Sequence, residues 1–181
     1  MDGDVITLGI NLIQALDMFD GAGKIPCSMG IDTWAVDFVL LDRTGSRLCD
    51  AVSYRDDRTE GMDRLLEETV PFSELYAETG IQKQPFNTVY QLLAVQRDTP
   101  GMLERAERLL MLPDYFHYLL TGEKRQEYTN ATTTSLVSAA TGEWSAGLLE
   151  HMGLPRRLFG PLAMPGTAAG TLLPQIAAEV G

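Results

Sequence analysis

The sequence predicts a soluble α/β domain, and three observations carry that prediction. Short apolar runs separated by turn residues occupy the chain between Cys27 and about residue 55, the pattern of strands. Beyond that point apolar residues recur at helical spacing, in segments closed by glycine or followed by proline. The composition, 45% hydrophobic and 22% charged over 181 residues, is that of a chain with a packed core rather than a disordered one.

The elements follow in order. Residues 4–18 place Ile6, Ile10, Ile13 and Leu16 on one helical face, with Asp4 as N-cap, and Asp20-Gly21-Ala22-Gly23 ends the segment. Strands are expected at 27–32, 36–42 and 47–54, joined by turns at Thr33-Trp34-Ala35 and at Arg43–Ser46 into a three-stranded antiparallel meander. The alternation in the second strand puts Val36, Phe38 and Leu40 on one face. Helices are expected at 58–68, 87–98 and 113–121, beside the meander. Another helix, 72–79, is closed by Gly80, and residues 145–155 hold a last short one. The helix at 87–98 stops before Pro100, because a residue preceding proline is disfavoured in the helical region. Leu109–Pro113 is a short apolar run, read as a buried strand. Beyond Gly160, prolines and glycines mark a connector.

Charge narrows the function. Fourteen basic against 25 acidic side chains give a net −11, which speaks against nucleic-acid backbones and anionic membrane surfaces. No stretch approaches the roughly 18 apolar residues of a membrane span. The start, Met1-Asp2-Gly3-Asp4, is acidic where a secretory leader is basic. Cys27 and Cys49 form no CxxC or metal-spaced cluster. A cytoplasmic protein with reduced thiols is expected, in which the N-A-T triplet at Asn130 is a chance match to a glycosylation sequon.

Two segments stand out chemically. In Gly30–Phe38, Asp32 ends one apolar run and Asp37 interrupts the next. A carboxylate in a buried strand is costly unless bonded. The pair reads either as turn residues of an edge hairpin or as part of a ligand site at a strand end. In Ser53–Gly61, Arg55 and Arg58 flank Asp56 and Asp57. This reads as a guanidinium held at a pocket mouth, or as a solvated loop capping a helix through Asp57. His117 and His151 have no triad partners and read as structural. Neither Asp20–Lys24 nor Thr121–Lys124 has phosphate-loop spacing. The hydroxyls of Asn130–Ser135 suit a helix cap or turn, and the stripe Tyr115, Phe116, Tyr118, Leu119 suits a core. On these residues alone a small-molecule site near 30–58 is legible, and a reaction is not.

The runs SMGIDTWAVDFVLLDRTGSRLCDAVSYRDDRT, GIQKQPFNTVYQLLAVQ, LLMLPDYFHYLLTGEKRQEYTNATTTSLVSAATGEW and HMGLPRRLFGPLAMPGTAAGTLLP resemble the FGGY family of sugar kinases over nearly the whole chain. Within that family they resemble the members that act on L-rhamnulose. The resemblance implies a ribonuclease-H-like domain of the actin and hexokinase type. It implies transfer of the ATP γ-phosphoryl group to the 1-hydroxyl of L-rhamnulose, with Mg²⁺. It puts Thr33, Trp34 and Ala35 on the sugar-facing wall, with Asp37 and Arg55 nearby. Ala35 stands where the family usually has glycine, and can keep its amide toward a sugar if its φ is negative. The family's Gly/Ser-rich phosphate loop is absent from this sequence, as are its His-Asp-Thr segment with the catalytic aspartate and its ATP domain. Neither His117 nor His151 is followed by Asp. The chain therefore reads as a truncated N-terminal sugar domain with no catalytic, cofactor or metal residues of its own. ATP and Mg²⁺ are not expected to bind it well, and self-association through an exposed sheet edge is expected. The competing readings are a kinase of another deoxy-ketose and a non-catalytic sugar-binding remnant.

Overall fold

Phe38–Leu41 forms the first strand, β1, in a computed structural model that describes residues 27–180. The helix expected at 4–18 lies outside the described residues. All four β1 side chains are buried, Phe38 and Leu40 on one face and Val39 and Leu41 on the other. The expected sharing of a face by Phe38 and Leu40 holds, but the strand is covered on both sides.

The partner of β1 is not a sequence neighbour. Arg108–Met111, the apolar run read as a buried strand, forms β2 and pairs antiparallel with β1, Phe38 opposite Met111 and Leu41 opposite Arg108. Among the described residues the three-stranded antiparallel meander is therefore corrected to a two-stranded ribbon, with a second small sheet elsewhere. The turn at 43–46 does form. The Asp42 carboxylate accepts from the backbone N–H of Thr44 and Ser46, and Gly45 supplies φ +86° where Tyr118 leaves no room for a Cβ. Beyond it Leu41 bridges Arg47, and Leu48 N donates to Leu40 O. The chain then peels away, and at Tyr54 its amide donates to the Asp37 carboxylate instead of a ladder. Residues 27–32 form no strand among the described residues. A short apolar run signals burial; it does not say which strand lies beside it.

The helices follow the pattern more closely. The expected helix 58–68 begins as a 3-10 turn, Asp57–Thr59, capped by Asp56 rather than Asp57, and continues as α1, Met62–Glu67. Phe72–Thr79 (α2) closes at Gly80, in the left-handed conformation, and Thr88–Asp98 (α3) stops before Pro100. After α4, Met102–Arg105, and β2 comes α5, Leu112–Thr121, with proline in its first turn and Gly122 at its end.

Gln126–Glu127 (β3) pairs in parallel with Leu162–Ala163 (β4). Between them lie α6, Tyr128–Thr132, and α7, Ala146–His151; α8, Pro174–Val180, closes the described chain. The larger core sits on the Phe38/Leu40 face under α1 to α4 and α7. On the other face Val39, Leu41 and Leu110 meet Tyr115 of α5, with Phe116, Tyr118 and Leu119 against them, so the aromatic stripe is core as expected. The turn before β1 is thus held between α3 and α5.

Candidate functional site

The turn Thr33–Val36 leads into β1. Val36 adopts φ +69°, a left-handed conformation that a β-branched residue rarely takes. Its carbonyl accepts from Thr88 Oγ1 at 2.7 Å and Gln91 Nε2 at 3.2 Å, both buried on α3. Strained backbone persists where its surroundings over-determine it, and here two side chains of one helix hold the carbonyl. Among the described residues the non-glycine left-handed positions are Val36 and Ser135, so Ala35 carries its methyl without that strain.

Asp37 is 1% exposed and fully engaged. Oδ2 accepts from Trp34 Nε1 at 2.7 Å and Tyr54 N at 3.1 Å, and Oδ1 accepts from Gln91 Nε2 at 3.2 Å. Gln91 Oε1 in turn accepts from Arg58 Nη2 at 2.6 Å. Arg58 sits beside the Phe38 ring, and burial pulls its pKa down from the usual guanidinium value. Arg55 lies over the Tyr54 ring and donates to the Tyr54 hydroxyl, while Tyr54 meets Phe86 edge-on. Trp34, Asp37, Tyr54 and Arg55 thus form one chain of contacts, with 55% of the Trp34 surface left open. Asp37 accepts three bonds from within the protein and through one of them anchors the Trp34 indole.

Thr33 and Ala35 face elsewhere. With Asp32 they line a cavity of about 460 Å³ whose other walls include Asp114 and His117 of α5, Glu127 of β3, and Asn130 and Thr133 of α6 and its end. Trp34, Asp37 and Arg55 are not among its lining residues, so the five expected residues divide between two sides of one turn. Burial pushes the Asp114 carboxyl up to about 7 and lowers the His117 pKa. Both Glu127 oxygens cap α6, through Thr129 and Asn130. Sequence reasoning passed over Asp114, although its signal matches that of Asp37: a carboxylate inside an apolar run, here Leu109–Phe116. A larger concavity, about 610 Å³, opens between Thr69, Glu78 and His151, and none of the five line it.

The model for the N-terminal domain of the FGGY family of carbohydrate kinases matches residues 18–181. The chain belongs to this family. Among relatives of this FGGY domain, the rhamnulokinase of Halalkalibacterium halodurans is 51% identical over 179 residues, 98% of this chain and 38% of the relative. That of Oceanobacillus iheyensis is 50% identical over 159 residues, 88% of this chain and 34% of the relative. The chain thus spans little more than a third of the length of these relatives. The xylulose kinase of Lactobacillus acidophilus superposes with a TM-score of 0.80 at 16% identity, over 96% of this chain and 36% of its own. The glycerol kinase of Plasmodium falciparum does so at 0.78 and 16% identity, over 94% and 36%. At such identities the likeness is one of fold: the mixed α/β architecture of the sugar kinases.

Proposed function

We propose that this FGGY domain is the sugar-binding part of a rhamnulokinase, an ATP-dependent enzyme that phosphorylates the 1-hydroxyl of L-rhamnulose in the cytoplasm. The observation that carries the reading is identity of about half to rhamnulokinases across almost the whole chain. The geometry supports it. A rigid turn, held from α3, presents Thr33 and Ala35 to a polar cavity on one side and Trp34 to the Tyr54–Arg55 pair on the other. A sugar seated in that cavity meets the Thr33 hydroxyl and further polar side chains around it, groups that fix the orientation of a small polar ligand.

The kinase family implies ATP and Mg²⁺. Among the described residues no group of three or more His, Cys, Asp or Glu suits a metal ion. Phosphoryl transfer depends on positioning together with a proton acceptor and charge stabilisation on the phosphate. The residues of this chain supply sugar positioning. The purified 181-residue chain is therefore expected to leave ADP release at background in a coupled assay with L-rhamnulose, ATP and Mg²⁺. Sugar-dependent ADP production by the chain alone contradicts this division of labour. The reading as a kinase of another deoxy-ketose separates from the first by the preferred sugar in a binding titration.

A further inference from the structure

We propose that the cavity beneath the 31–35 turn holds a neutral sugar and that Asp114 binds one of its hydroxyls, a recognition role additional to those of Thr33 and Ala35. This rests on the sugar-kinase reading and deepens it. The Asp114 side chain belongs to a residue only 3% exposed, yet it is half used. Oδ1 accepts from Glu127 N at 3.1 Å, whereas Oδ2 is buried with no hydrogen-bond partner among the described residues, the Met111 backbone acting on the carboxyl only as a weaker electrostatic influence. A buried acceptor left unpaired is costly and uncommon. This one belongs to a residue lining a cavity of about 460 Å³, within the size range of small-molecule sites. A donor entering the cavity removes the deficit.

The lining chemistry narrows the donor. Among the described residues no Lys or Arg lines the cavity, and Asp32, Asp114 and Glu127 all do, which disfavours phosphates and other anions. Thr33, Asn130 and Thr133 add neutral polar groups around the same space. Hydroxyls both donate and accept, and suit this mixed lining. The raised titration of Asp114, near 7, fits as well: close to neutrality the carboxyl can accept from a hydroxyl or donate to one. The position also separates the roles of the two buried aspartates. Asp37 has all its bonds within the protein; Asp114 has one to give.

The test is a binding titration of L-rhamnulose on the 181-residue chain, with the Asp114 carboxyl followed by its ¹³C resonance. The sugar is expected to move that resonance, and Asp114→Leu and Asn130→Ala are each expected to weaken binding about tenfold or more. If Asp114→Leu fails to fold, the wild-type resonance and Asn130→Ala still decide. Binding of L-rhamnulose with an unmoved resonance and full affinity in Asn130→Ala overturns the role of Asp114 and leaves the rhamnulokinase reading intact. A different neutral ketose that binds and moves the resonance, where L-rhamnulose does not bind, upholds the cavity and overturns the substrate. Binding of no sugar overturns both.

Discussion

Asp37 and Asp114 show how the surroundings of a carboxylate decide what it does. Asp37 accepts three hydrogen bonds from Trp34, Tyr54 and Gln91. Replacing it with Asn turns one acceptor into a donor facing N–H groups. Asp37→Asn is therefore expected to cost about 1–3 kcal/mol in chemical denaturation, with a change in the emission of Trp34 as its indole loses its anchor. Asp114 behaves in the opposite sense, because burial raises its titration from 3.8 to about 7. A carboxyl whose pKa is raised on folding favours the folded state as the protonated acid. Its contribution is full below pH 3.8 and is lost as the pH rises through about 7. Asp114→Asn, which cannot ionise, should thus be more stable than the native chain at pH 8 by up to about 4 kcal/mol, and should lose that advantage toward pH 4. Melting curves across that range check it; an advantage independent of pH contradicts it.

At the scale of elements, α3 organises the site without lining the cavity. Thr88 and Gln91 lie one turn apart on its buried face and both donate to the Val36 carbonyl; Gln91 also donates to Asp37 and Phe86 and accepts from Arg58. A helix is a rigid mount, and a strained turn needs one. Gln91→Met keeps volume and removes the Gln91 side-chain bonds while the Thr88 bond to Val36 stays, and it leaves the Arg58 guanidinium short of an acceptor. The expected loss is about 3 kcal/mol, beyond that of a single neutral hydrogen bond. Sugar affinity should fall in parallel while the far-UV circular dichroism is unchanged. A variant with native sugar affinity removes α3 from the site.

For the whole molecule, charge and edges oppose each other. A net −11 keeps copies apart, whereas segment 27–32, in no strand among the described residues, and the open Trp34 indole offer surface for contact. Self-association should therefore be weak at pH 8 and low salt, and should grow on adding salt and as the pH falls toward the sequence pI of about 4.5. Sedimentation velocity over that grid tests it. A monomer under all conditions rules self-association out.

Local chemistry written in the sequence determined much of this protein. Periodicity and end signals placed α2, α3 and α5, closed by Gly80, Thr99-Pro100 and Gly122, because helix formation and its arrest depend on residues within a turn or two. The Asp42–Ser46 turn was legible for the same reason. Long motifs sufficed for the family, and the 33–37 segment drew attention because a carboxylate interrupted an apolar run. Strand partners were decided by tertiary structure. Leu109–Met111 was recognisable as a buried run, but its choice of β1, about 70 residues earlier, over the adjacent hairpin strand depends on burial of both faces of β1. The division of the site was likewise a tertiary matter. Thr33 and Trp34 are neighbours in sequence and face different surroundings, because the Val36 backbone is clamped from α3 and Asp37 turns the indole away from the cavity. Asp114 stayed hidden for the same reason: whether a carboxylate in an apolar run is satisfied or left with an open oxygen depends on groups that only folding brings beside it.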